Sequence, residues 1–122
     1  METNPIVHAE EYYKLVGEKN VEGIKKYLYS DVEFYSPFAI LKGREAVIGA
    51  TSNFMNVFKS LTVRAKLDGE DQAMIVYDLD IPGIAKNFPG ASLLSFRDGL
   101  IVKIELFYDG SRFAEKKEEI FS

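Results

Sequence analysis

At 122 residues, 47% hydrophobic and 28% charged, the chain has the size and composition of one folded domain and not of a disordered segment. A formal net charge of −4 with no basic stripe speaks against a nucleic-acid partner. The lack of cysteine excludes disulfides, thiolate metal sites and a cysteine nucleophile, and a single histidine leaves zinc only carboxylates, so no metal and no cofactor are expected.

Asn4-Pro5 reads as a helix start, a cap followed by proline at the first helical position. Ile6, Ala9, Tyr12 or Tyr13, and Val16 then recur at helical spacing. This opening carries no charged and apolar leader, so a cytoplasmic location is expected. After the Gly17 to Asn20 interruption, Val21 to Leu28 predicts a second short helix, ended by Ser30-Asp31. VEFYSPF predicts a short strand stopped by Pro37. Gly43 precedes a third helix over 44–58, with an apolar stripe at Ala46, Val47, Ala50, Phe54, Val57 and Phe58.

From Leu61 the period changes to two. Residues 61–67 and 73–81 predict strands about an Asp68-Gly69 turn, Pro82-Gly83 ends the second, and residues 82–90 form a longer loop, long enough for a lid. Residues 91–96 and 100–108 predict a hairpin about Arg97-Asp98-Gly99, and Asp109 or Ser111 caps a terminal helix over 112–121. The fold class is therefore α+β: one domain over 1–122, its curved, cone-shaped antiparallel sheet wrapped by three N-terminal helices, with a short C-terminal helix. No apolar run approaches the roughly 20 residues of a membrane span, so no membrane partner is expected.

YYKLVGEKNVEGIKKYLYSDVEFYSPF and GREAV give the chain its family likeness. The order of elements and these two stretches resemble the nuclear transport factor 2-like superfamily, in its SnoaL-like and ketosteroid isomerase-like branch. The resemblance implies a cystatin-like α+β roll, a one-ended pocket, and often a homodimer through the outer sheet face. Matched residue by residue to the isomerases, the tyrosine that donates to the substrate carbonyl falls on Tyr12, the aspartate base on Ser36, and the second oxyanion donor near Ser92. The epoxide hydrolase branch aligns an Asp with Asp80 and an Arg with Asp78, and its second Asp with Leu106, so that relay is not rebuilt here.

Asp78 and Asp80 alternate onto one strand face. With the parity the resemblance implies, they point into the pocket above Val76, where two carboxylates cannot both ionise cheaply and one becomes an acid or base near neutral pH. The expected catalytic residues are thus Asp80 as base, Asp78 as its like-charge tuner and Tyr12 as electrophile, with Ser36, Ser92, Val76, Phe54, Leu106 and Tyr108 binding a small apolar, cyclic or isoprenoid-like ligand. The chemistry expected is cofactor-independent isomerisation, cyclisation, dehydration or hydrolysis, with a non-catalytic binding module as the alternative. The same parity turns Tyr77, Leu79, Leu93 and Phe107 outward as a homodimer face. A one-residue shift reverses pocket and surface together.

Overall fold

Asn4 caps the first helix as its position predicts, its Oδ1 accepting from the Ile6 N–H at 3.2 Å. A computed structural model describes residues 4–113 of the chain, with side chains through residue 111. Its elements are α1 (Pro5–Gly17), α2 (Val21–Lys25), β1 (Leu28–Tyr35), β2 (Ile40–Lys42), α3 (Arg44–Met55), β3 (Ser60–Asp68), β4 (Gln72–Ile81), β5 (Ala85–Arg97) and β6 (Leu100–Phe107). A 3-10 turn, Gly110–Phe113, follows; Asp109 Oδ1 accepts from the Ser111 N–H at 3.1 Å and from its hydroxyl at 2.7 Å. The rest of the terminal helix expected over 112–121 lies outside the described residues.

The six strands form one sheet in the order β2-β1-β6-β5-β4-β3. All neighbours are antiparallel except β1 and β6, which run parallel. Register shifts in β3 near Val63, between β4 and β5 near Leu79, and between β5 and β6 near Ser95 bend the sheet. The helices lie in its concave side, α1 against β3 and β4 and α3 against β1. Between them Ala9, Val16, Ile24, Val47, Phe58, Ile75, Leu94 and Ile104 form the buried core. Among the described residues no helix is long and apolar enough to cross a membrane.

Three boundaries differ from expectation. The second helix stops at Lys25, because Tyr27-Leu28-Tyr29 favours extended chain and the Tyr27 carbonyl takes the Ile101 N–H at 2.7 Å, drawing the segment onto β6. The third helix stops at Met55; Phe58 is still buried, below Lys19, whose ammonium bonds the Phe58 carbonyl at 2.7 Å. The loop expected over 82–90 is mostly strand, because β5 starts at Ala85 and Phe88 pairs with Leu79. A tight turn over 82–84 replaces the lid.

That pairing settles the parity of β4, which is the reverse of the expected one. Ala73, Ile75, Tyr77, Leu79 and Ile81 are buried toward the helices, and the alternate residues Val76, Asp78 and Asp80 face outward. Burying a Tyr, a Leu and an Ile gains roughly 1.5–3 kcal/mol each, whereas burying two carboxylates is strongly unfavourable. The hairpin β5–β6 has the expected parity: Ser92 and Leu106 stand opposite each other on the inner face, Leu93 and Phe107 on the outer.

Candidate ligand cavity

The sequence alternation of β4 sends Tyr77 and Leu79 toward α1, whose Tyr13 stacks on Tyr77 while the neighbouring Tyr12 is buried beside it. Phe54 and Thr51 come down from α3, Phe34 from β1, and Leu106 and Tyr108 from the end of β6. Together with Phe88, Leu41 and Ile104 they enclose a cavity of about 70 Å³. That is small beside the roughly 300–1,000 Å³ of a site for a drug-sized ligand.

Its polar groups are hydroxyls. Tyr13 donates to Ser92 Oγ at 2.6 Å, and the Tyr77 hydroxyl lies 2.9 Å from the same oxygen. The two phenol rings are stacked, with centroids 5.2 Å apart and an interplanar angle of 28°. Ser92 itself is fully buried behind them and does not line the cavity. Tyr12 packs edge-on against Tyr13. Tyr108 sits beside Phe88 and Phe38.

Burial sets the proton affinity of this cluster. It raises the Tyr12 hydroxyl far above the usual phenol range, with the neighbouring Tyr13 adding to it and Thr51 opposing it. It pushes Tyr13 up to about 12, against the hydroxyls of Ser92 and Tyr77, and raises Tyr77 well above its ordinary value. Tyr108 is also pushed up to about 12 by burial, opposed by the Ser36 hydroxyl. All four phenols therefore keep their protons at physiological pH and serve as hydrogen-bond donors. Among the described residues the lining holds no carboxylate, imidazole or amine.

Of the residues singled out in the sequence, Tyr12, Phe54, Leu106 and Tyr108 line the cavity. Ser92 lies one layer behind it. Ser36 lies outside the lining and closes a turn: its Oγ accepts from the Ala39 N–H at 3.1 Å and lies 3.3 Å from the Ala39 carbonyl. Asp78, Asp80 and Val76 are on the other side of the sheet, and Asp78 pairs there with Arg64 at 3.2 Å. The placement of two carboxylates in the pocket is thus corrected, and with it the outward placement of Tyr77 and Leu79. Sequence reasoning left Tyr13 only as an alternative to Tyr12, turned Tyr77 outward, and did not single out Thr51 or Phe88. The signal for Tyr77 was present: its alternation with Leu79 and Ile81 is as regular as that of the aspartates.

Residues 9–104 match the family model described as a SnoaL-like domain. Among solved structures, a protein from Kribbella flavida DSM 17836 superposes with a TM-score of 0.86 at 16% identity, covering 96% of both chains. A steroid delta-isomerase from Pseudomonas aeruginosa gives 0.80 at 22% identity, covering 98% of this chain and 90% of that one. A nuclear transport factor 2-like protein of unknown function from Cytophaga hutchinsonii ATCC 33406 gives 0.78 at 18% identity, covering 90% and 94%. At these identities the likeness is one of fold. No curated protein matches the chain in sequence.

Proposed function

The chain belongs to the SnoaL-like domain family, and from that premise we propose that its cavity binds a small, uncharged, largely apolar molecule carrying an oxygen acceptor, without acid–base turnover. One observation carries this reading: phenol and alcohol donors in an apolar enclosure whose described lining has no proton acceptor of base strength. Proton abstraction needs a base within hydrogen-bond reach of the substrate. The position that resembles the isomerase aspartate is Ser36, engaged in a turn. A charged ligand is disfavoured because the described lining offers no counter-ion. The test is to titrate labelled protein with cyclic ketones, lactones and epoxides, following cavity amides by NMR and the ligands by chromatography. Saturable shifts at Tyr12, Tyr77 and Leu106 with unchanged ligands support binding without turnover. A new product overturns the non-catalytic part, and absence of cavity shifts overturns the binding part.

A second proposal concerns the outer sheet face, where Leu67, Met74 and Leu93 share one cross-strand row and Ala65, Val76, Ala91 and Phe107 the next. Leu67 is 58% and Phe107 51% exposed. We propose that a second copy of the chain covers this face. Leu93 and Phe107 belong to the patch; Tyr77 and Leu79, expected there, do not. Sedimentation at micromolar concentration should give a dimer that Phe107→Asp converts to monomer; a monomeric parent protein rejects the interface.

A further inference from the structure

β3 is the last strand of the sheet, and no described strand pairs with its outer edge. It is nine residues long, and from Thr62 to Asp68 both of its faces are exposed. Such an edge carries a row of backbone N–H and C=O groups open to a further strand. Proteins blunt a free edge with cationic side chains and with bulges. β3 has both, but its two cations are drawn off the edge. Arg64 pairs with Asp78 on the outer face at 3.2 Å, and Lys66 with Glu10 of α1 at 2.8 Å. The register shift comes after Val63 and leaves residues 60–63 as a regular run.

That run is one wall of a groove. Gly17 lies against Leu61 and Glu10 against Lys66, so α1 runs antiparallel to β3 and the groove follows the strand. Its apolar part is Leu61 with Val63, 37% exposed, and Val7, 58% exposed. Its helix rim carries Glu10, Glu11 and Glu18 against Lys14 alone, and among the described residues Glu11 and Glu18 hold no ion pair.

We propose that the β3 edge takes an extended peptide as a seventh strand, its inward side chains running basic, apolar, basic along the groove. From Val7 to Gly17 the helix rises about 15 Å, the length of roughly five extended residues. The first, third and fifth side chains of such a segment point to one side. Lysines at its ends meet the acidic rim, and a branched apolar residue between them covers Leu61 and Val63. Main-chain bonds supply the affinity, and the groove selects the side chains. A second copy of the chain fits this edge poorly. A two-fold axis near the middle of β3 sets Arg64 against Arg64 and brings Glu18 of one α1 toward Glu10 of the other, so like charges meet.

The experiment titrates the full ¹⁵N-labelled chain with acetyl-Lys-Thr-Val-Thr-Lys-amide. Amide shifts are expected along residues 60–68 and at Lys14 and Glu18. The charge-reversed acetyl-Glu-Thr-Val-Thr-Glu-amide should bind about tenfold more weakly. In the double variant Glu11→Lys, Glu18→Lys, the order of the two peptides should invert. Two further analogues of the basic peptide are N-methylated, one at its valine and one at both threonines. Successive N–H groups of a strand point to opposite sides, so one analogue should lose binding and the other keep it. Equal effects of the two methylations, or shifts outside β3 and α1, overturn the added strand. Equal binding of the basic and acidic peptides overturns the basic partner, and no binding of any peptide overturns the site. β3 amides that shift with protein concentration alone place a second copy on the edge and overturn the peptide as its occupant. The parent protein with the four peptides gives the result even if the double variant fails to fold.

Discussion

Tyr77 lies across the β4–β5 ladder from Gly90, and its ring fills the space a side chain there would need: a Cβ at Gly90 would sit 2.9 Å from Tyr77 Cε1. The glycine is therefore what allows the phenol to lie flat on the sheet and reach Ser92. Gly90→Ala gains about 0.5–1 kcal/mol of strand preference. Displacing a ring that is stacked on Tyr13 and bonded at its far end costs about 1–3 kcal/mol. The second effect wins, so the variant should be less stable by about 1 kcal/mol or more. Urea unfolding checks it; an unchanged or raised midpoint would show that the ring moves freely.

Local signals carried most of the fold. Asn4-Pro5 set the start of α1, and the Arg97-Asp98-Gly99 turn set the last hairpin: Asp98 has φ 53° and Gly99 φ 82°, both in the left-handed region a two-residue hairpin turn requires. Leu106 and Leu93 were placed on their correct faces by strand alternation and the family resemblance and not by the turn, because the bulge between Ser95 and Phe96 shifts the register that the turn sets. The parity of β4 was not legible in the same way. Its register with β5 depends on whether residues 85–90 pair or loop, and reading them as loop removed the constraint that puts Tyr77 opposite Gly90. The two aspartates then looked like site chemistry, although the tyrosine and leucine beside them had more to gain from burial. Ser92 was legible as an inward residue, but its two partners, 79 and 15 residues away in sequence, were not.

Asp78 and Asp80 make a prediction that separates the two parities. Asp78 pairs with Arg64 on the outer face, with both side chains partly exposed, and such pairs contribute about 0–1 kcal/mol. Asp78→Asn and Asp80→Asn should each change stability by less than about 1 kcal/mol and leave ligand titration of the cavity unaltered. Loss of binding or of any turnover in Asp80→Asn would return the carboxylate to the site.

The buried phenols make stability depend on alkaline pH. Folded Tyr13 is pushed from 10.0 up to about 12 by burial. Between those values the unfolded chain has lost the proton and the folded chain retains it, so the unfolded state binds fewer protons and stability falls as pH rises. The contribution is fully present below pH 10 and is lost by about pH 12, roughly 2–3 kcal/mol from this residue alone. Tyr12 and Tyr77 are raised in the same direction and for the same first cause. Absorbance at 295 nm should show some of the seven tyrosines titrating in the folded protein and the buried set ionising together with the loss of structure. Seven independent titrations before unfolding would mean the cluster is open to water.

The hydroxyl cluster itself predicts a non-additive series. Ser92→Ala removes the oxygen that both Tyr13 and Tyr77 use and strands two buried phenol groups. Leaving a buried donor without a partner costs about 1–3 kcal/mol, so the single variant should lose about 2 kcal/mol or more. Adding Tyr13→Phe and Tyr77→Phe removes the stranded groups as well and keeps the stacked rings. An apolar trio of nearly the same shape has nothing left to desolvate, so the triple variant should recover a large part of the loss. Urea unfolding of the three singles, the pairs and the triple gives the coupling directly. Recovery in the triple variant, with ketone binding lost, would show that the cluster is kept for the ligand and not for the fold. A simple sum of the single losses would mean that the three hydroxyls act on stability independently.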